Sequence, residues 1–353
     1  MTSQSYFPIF ELTRGKTIES IHNGAIAVVD AYGKPVASYG DPDTLTFLRS
    51  SAKPFQALPF IEHGGQDFYH LTRREIALMC ASHSGTDEHV AVAREIQAKT
   101  GVSESDLLCG VHYPYDNQTS EALRERKEQP TPNRHNCSGK HTGMLAYARM
   151  EHLSTADYID NEHPVQREIR QTFANMCALP VEQVALGIDG CSAPNFAVPL
   201  RNSALAYARL LDPVAGQVQP PARAAACRTI TTSMMENPDM VGGPGRFDTR
   251  LMEVARRRIL IKAGAEGYQG IGLAAGALGS GSPALGIALK IGDGDARAKA
   301  RPAVVLEVLR QLGALSAAEL ALLAEFGPTF PVLNWRKIEV GEGRPCFELH
   351  SQN

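Results

Sequence analysis

The run Ala25-Ile26-Ala27-Val28-Val29-Asp30-Ala31-Tyr32-Gly33-Lys34-Pro35-Val36-Ala37-Ser38-Tyr39 decides the fold class. Ala25 to Ala31 is β-rich, Tyr32-Gly33-Lys34 supplies a turn, and Pro35 to Tyr39 returns, which together read as a hairpin. Phe7 to Leu12 adds a further strand. The same character comes back only late in the chain, in Ile259–Lys262, Gly270–Leu273 and Ala284–Lys290, with Cys346–His350 as a closing strand. Between these ends the signals are helical. After a loop at Asp41–Arg49, Lys53–His63 reads as a helix whose Pro54 sits in the first turn, where a missing N–H costs nothing. Thr72 with Glu75 forms a capping box that opens a helix over Arg73–Cys80. Thr86 caps Asp87–Lys99, and Gly101 stops it. Further helices are expected at 139–151, 164–177, 201–211, 221–236, 248–257, 297–312 and 316–326, with an irregular stretch over 109–136. Strands at both ends around a helical middle predict an α+β architecture. Its one antiparallel sheet comes from about 1–40 and 258–350, packed with a helical part at about 50–257, in a single domain over 1–353.

Composition narrows the function. The 353 residues are 43% hydrophobic and 21% charged, ordinary for a globular chain with a sizeable core. Lys plus Arg is 35 against 38 for Asp plus Glu, a net charge of -3. That balance argues against a nucleic-acid surface, which needs a basic excess. Met1 to Gly24 has no charged-then-apolar pattern, so no signal peptide is read. No uninterrupted apolar run reaches about 18 residues, so no membrane span is expected. Seven scattered cysteines argue against a disulfide framework and for a reduced, cytoplasmic setting.

Ser50-Ser51-Ala52-Lys53 is the first chemical signal. On a helix, positions i and i+3 share a face, so the Lys53 amine would reach the Ser50 hydroxyl. Burial and the helix N-terminus both disfavour an ammonium, and a neutral amine can take a serine proton. Taken alone, Ser50 reads equally as a simple helix cap. Downstream, Lys99-Thr100-Gly101 reads as a helix stop. Lys262-Ala263-Gly264, at the end of a strand, is the better counterpart. Thr86 reads as a cap, and Gly242-Gly243-Pro244-Gly245 lacks the Lys-Ser/Thr of a phosphate loop.

The second signal lies at two turns, Asn136-Cys137-Ser138-Gly139-Lys140-His141 and Asp189-Gly190-Cys191. Two cysteines and a nearby polar group could bind a soft divalent ion such as zinc, or be plain buried thiols. Lysine is a rare ligand, because it must lose its proton to coordinate.

Arg49-Ser50-Ser51-Ala52-Lys53-Pro54, then Ala77-Leu78-Met79-Cys80-Ala81-Ser82-His83-Ser84, then the two turns above, closed by Lys262, occur in a fixed order. That order resembles the Rhizobium etli-type L-asparaginase family, also called class 3 or thermolabile-type, over about residues 15–345. The Thr-Gly-Gly-Thr-Ile motif of the common bacterial asparaginases is missing. The resemblance implies a serine β-lactamase/glutaminase-like fold, hydrolysis of L-asparagine to L-aspartate and ammonia, and a homodimer. It implies two Ser–Lys pairs, Ser50 with Lys53 and Ser82 with Lys262, and a zinc site at Cys137, Lys140 and Cys191. Arg49, His83 and Asp189 are the expected substrate-binding residues. In this reading Ser50 attacks, Lys53 is the base, and Ser82 with Lys262 relays a proton. Ser82 as nucleophile stays open, as do a glutaminase or β-lactamase-like hydrolase on the same fold and a non-catalytic amino-acid or metal sensor.

Overall fold

The computed structural model describes residues 5–352. Twelve strands are present among them: β1 (Phe7–Arg14), β2 (Thr17–Asp30), β3 (Pro35–Tyr39), β4 (Leu45–Phe47), β5 (Ala185–Ile188), β6 (Pro194–Pro199), β7 (Ile259–Ala263), β8 (Tyr268–Leu273), β9 (Leu285–Ile291), β10 (Phe330–Leu333), β11 (Glu339–Pro345) and β12 (His350–Ser351). Nine of them form one sheet in the order β10-β11-β1-β2-β9-β8-β7, with β3 also on β2 and β12 on β3. The 14-residue β2 makes this possible. Its first half pairs with β1, its second half pairs with β3, and β9 runs along its other side with Ile26 opposite Leu289. The two ends of the chain thus meet in the middle of one antiparallel sheet, and the α+β layout read from the sequence is present.

Gly24–Asp30 alternates little because both its faces are covered. Ile26, Val28, Ile287 and Leu289 are fully buried, each such side chain contributing roughly 1.5–3 kcal/mol. The helix Leu200–Leu211 lies so close to β9 that a Cβ on Gly286 would stand 1.7 Å from the Ala204 carbonyl oxygen. Helices Lys53–Glu62, Arg73–Met79, Ser138–Met150 and Pro221–Glu236 form the other layer. The expected capping box of Thr72 with Glu75 is formed, the expected cap Thr86 completes a box with His89, and Gly101 ends that helix with φ 70°.

The structure corrects the sequence reading in four places, the first being a helix at Asn117–Glu125 within the stretch 109–136 expected to be irregular. A second, three-stranded sheet, β4-β6-β5, takes Leu45–Phe47 out of the expected loop. Its strands are three to six residues long and carry Gly187, Pro194 and Pro199, which hide the period. The closing strand lies earlier than expected, in β10 and β11, and only His350–Ser351 of the tail pairs, with β3. The helix expected at 316–326 shortens to Ala317–Ala321.

Candidate active site

The site begins where β4 runs into the helix Lys53–Glu62. Arg49 adopts a left-handed φ of 52°, and Arg49–Ala52 form a tight 3-10 turn before the α-helix starts. A non-glycine residue in that region is held there by its surroundings. Asn195 Oδ1 of β6 accepts the Arg49 N–H at 3.1 Å, and the Leu48 N–H reaches the Phe196 carbonyl at 3.0 Å. Ser51 locks the far side: its hydroxyl donates to the Lys262 carbonyl, and its own carbonyl accepts from Tyr207 at 2.8 Å. The turn carrying Ser50 is therefore tied to β7.

Lys53 and Lys262 converge on one hydroxyl. Each Nζ stands 3.0 Å from Ser82 Oγ. Lys53 also donates to the Ala81 carbonyl at 2.5 Å and the Asn136 carbonyl at 3.2 Å. Three acceptors match the three N–H donors of an ammonium. Lys262 makes one further bond, to the Ala263 carbonyl at 2.9 Å. Both lysines are 1% exposed. Burial, reinforced by the Lys53 charge, pushes Lys262 down from its ordinary 10.5 to about 7, against the pull of Asp248. Ser82 lies just past the helix Arg73–Met79, with its N–H on the Val241 carbonyl.

Two pairings differ from the sequence reading. Among the described residues Ser50 and Lys53 share no hydrogen bond. The Lys53 amine is instead taken up by Ser82 Oγ and the Ala81 and Asn136 carbonyls. His83 does not line the pocket. Chain neighbours in an extended segment point opposite ways, so with Ser82 toward the lysines, His83 is fully buried. Its Nε2 lies 2.9 Å from Ser138 Oγ, and its Nδ1 accepts the Gly85 N–H at 3.1 Å. Burial and the neighbouring His89 hold the ring well below its usual range, so it is neutral.

Ser50 lines a cavity of about 350 Å³ together with Arg49, Asp189, Cys137 and Cys191. That volume suits a small molecule. Arg49 Nε donates to Asp189 Oδ1 at 2.8 Å, and the Gly190 N–H reaches the same oxygen at 2.8 Å. Burial pushes the Asp189 carboxyl up, but Lys140 and Arg49 outweigh it and hold the group below its ordinary value. His112, Tyr115 and His135, from the stretch expected to be irregular, also line the cavity. His112 stacks on Tyr115 with ring centres 4.7 Å apart. Burial, with His112 and Lys53, pushes His135 down to about 4, so it too is neutral. Polar rings in a proline-broken loop were the only sequence signal for this lining.

Cys137, Lys140 and Cys191 come together at the cavity's end. Cys137 precedes the helix Ser138–Met150, Lys140 sits in its first turn, and Cys191 stands in the β5–β6 turn. Lys140 Nζ donates to Cys191 Sγ at 3.0 Å. Contact with Cys191, then Lys53 and Lys140, drives Cys137 toward the thiolate against its burial. Burial opposes the Lys140 ammonium, but the two sulfurs raise it above its ordinary value. Two soft sulfurs and one amine fit a soft divalent ion, which would replace the lysine proton. Among the described residues no group of three His, Cys, Asp or Glu side chains is arranged to hold a metal, so this set depends on Lys140.

The family model for L-asparaginase II matches residues 10–345. The chain belongs to the L-asparaginase II family. It is an amidohydrolase, and the family match covers every residue of the site described above. No curated protein matches this L-asparaginase II chain significantly. Among solved structures it is similar to a Bacillus subtilis glutaminase in covalent complex with 5-oxo-L-norleucine. The identity is 12% over 76% of this chain and 80% of that one, with a TM-score of 0.34. It is also similar to a probable glutaminase of Bacillus subtilis, at 11% identity over 77% and 78% with a TM-score of 0.36. Against Mglu the identity is 15% over 83% and 68%, with a TM-score of 0.34. Likeness at those scores carries no argument, and the assignment rests on the family match and this chain's own architecture. Among the described residues no helix is long and apolar enough to cross a membrane.

Proposed function

We propose that this family member hydrolyses L-asparagine through Ser50, with Lys53, Ser82 and Lys262 as its proton-handling group. The observation that carries the reading is the chain of two 3.0 Å contacts from Lys53 through Ser82 to Lys262. A hydroxyl between two amines can give a proton to one while it takes a proton from the other. Lys262, at about 7, can accept one near neutral pH. In this reading Lys53, three residues from Ser50, hands a proton through Ser82 to Lys262 and takes one from Ser50, which lines the cavity. The Ser50–Lys53 contact would form with substrate in place, as catalytic hydrogen bonds commonly do. Ser50 Oγ bonds to the amide carbon and its proton passes to Lys53. The C–N bond breaks, the nitrogen takes that proton and leaves as ammonia, and an acyl-enzyme ester remains. Water attacks the ester, its proton returns by the same amine to Ser50, and aspartate is released. Asp189 and Arg49, both charged on the cavity wall, suit the α-ammonium and α-carboxylate of an amino acid.

Cys137, Lys140 and Cys191 would hold zinc, which when bound would supply a fixed positive charge beside Asp189; no step of the hydrolysis is assigned to it. Seven free cysteines support a reducing, cytoplasmic compartment. A second copy of the chain as partner follows from the rhizobial-type resemblance, and sedimentation velocity tests it. The deciding experiment is ammonia release from asparagine and glutamine by the parent, Ser50→Ala and Ser82→Ala proteins. Loss of turnover with Ser50→Ala and slow residual turnover with Ser82→Ala, on asparagine, is expected. The reverse order would make Ser82 the nucleophile. Release chiefly from glutamine would change the substrate.

A further inference from the structure

Behind the reacting cluster, on the far side of β7, lies a second buried polar group that the mechanism above does not use. The backbone that carries Lys262 is held there at three successive residues. The Lys262 carbonyl accepts from Ser51 Oγ. The Ala263 N–H donates to Asp248 Oδ2 at 2.6 Å. The Gly264 carbonyl accepts from Arg301 Nη1 at 3.1 Å. Asp248, in the first turn of the helix Phe247–Ala255, is 7% exposed. Its other oxygen meets only the Gln269 amide, at 3.4 Å. Gln269 is itself fully buried and its Oε1 has no partner. Among the described residues Asp248 forms no ion pair.

That combination is costly unless the charge has a use. A buried carboxylate without a paired cation is disfavoured, and a neutral amide could accept the Ala263 N–H equally well. Resting on the Ser–Lys reading, we propose that Asp248 is a positioning residue for the reaction, fixing the strand end that presents Lys262 to Ser82 and sustaining that lysine's ability to hold a proton. The field at Lys262 is shared. Lys53 from the helix Lys53–Glu62 and Arg246 just before the helix Phe247–Ala255 oppose its charge, and Asp248 and Cys137 favour it. Cys80, in the segment leading to Ser82, also faces it. Asp248 is in turn faced by Arg301 of the helix Ala300–Gln311 and by Tyr207 of the helix Leu200–Leu211. Asp248 is the carboxylate among the groups facing Lys262.

The test reads Lys262 directly, by NMR of protein labelled at the lysine ε-carbon, with its signal assigned by Lys262→Arg. Asp248→Asn keeps an acceptor for the Ala263 N–H and removes the charge. Its Lys262 is expected to titrate roughly one pH unit lower than in the parent, and the acid limb of kcat/KM for asparagine should move down with it. A folded Asp248→Asn protein whose Lys262 titrates as in the parent overturns the proposal. Should that variant not fold, the half-buried Arg246→Gln decides: the titration moves up if charges on this side govern Lys262, and an unmoved titration overturns the idea. Movement of the NMR titration without the kinetic limb shows that Asp248 acts on Lys262 but not on the reaction, which overturns the positioning role and removes Lys262 from the Ser–Lys reading.

Discussion

Replacing Lys262 by methionine should abolish turnover and make the protein more stable. Lys262 is 1% exposed and titrates at about 7 instead of 10.5. Below pH 7 the lysine is charged whether the chain is folded or not, and the folded state bears the whole cost of burying that charge. The drop corresponds to about 5 kcal/mol. Between pH 7 and 10.5 the unfolded chain still binds the proton and the folded chain does not, so parent stability rises with pH. Above 10.5 the cost is gone. Methionine has a similar volume and no charge. It loses the bonds to Ser82 Oγ and the Ala263 carbonyl, together worth about 2 kcal/mol. The net expectation is a gain of about 3 kcal/mol at pH 6.5 that shrinks to nothing or reverses by pH 10. Urea unfolding of parent and Lys262→Met across that range measures it. A variant less stable than the parent at pH 6.5, or a gain that does not shrink with rising pH, would refute the account of Lys262 as a destabilising base kept for its chemistry.

Three other expectations are independent of that one. His83→Gln should lower stability by about 1–3 kcal/mol, because Ser138 and Gly85 lose their partner. It should leave KM for asparagine unchanged, so a raised KM at intact stability would return His83 to the binding site. Gly264→Ala places a Cβ 2.3 Å from the Leu48 carbonyl oxygen, next to the turn that holds Ser50. That clash should cost at least about 2 kcal/mol and lower kcat, and an unchanged kcat would detach β7 from the geometry of Ser50. Dialysis against a chelator, followed by metal analysis, should raise KM more than it lowers kcat. Loss of kcat alone would move the metal into the chemistry.

The α+β class was legible because the burial of β2 and β9 leaves uncharged, largely apolar runs, Ala25–Val29 and Leu285–Leu289. The helices were legible through their caps. The small sheet β4-β6-β5 was not, since a three-residue strand such as Leu45–Phe47 carries almost no period. At the site, the sequence singled out Ser82, Lys262, Cys137, Lys140 and Cys191, which the fold brings into two clusters. It misjudged the partner of Lys53 because spacing records only near neighbours, and the acceptors that hold this amine, Ala81, Ser82 and Asn136, come from distant segments. Ser51, Asn195 and Asp248 escaped notice for a different reason. Each acts by accepting or donating a bond to another segment's backbone, and no motif records such partners.

The meeting of the chain's two ends in one sheet also sets an order in time. Ser82 and Lys262 are 180 residues apart in sequence. At ribosomal speeds Lys262 is made on the order of ten to forty seconds after the serine it will hold. Until β7 and β9 arrive, the emerging chain carries both serines with no second amine, and the apolar strand Gly24–Asp30 has no β9 to pair with. On the Ser–Lys proposal the nascent protein is therefore inert as an amidase, and it is most prone to associate wrongly through that strand. Both conditions end with the same event, when β9 docks on β2 and, through β8, carries β7 to the helix layer.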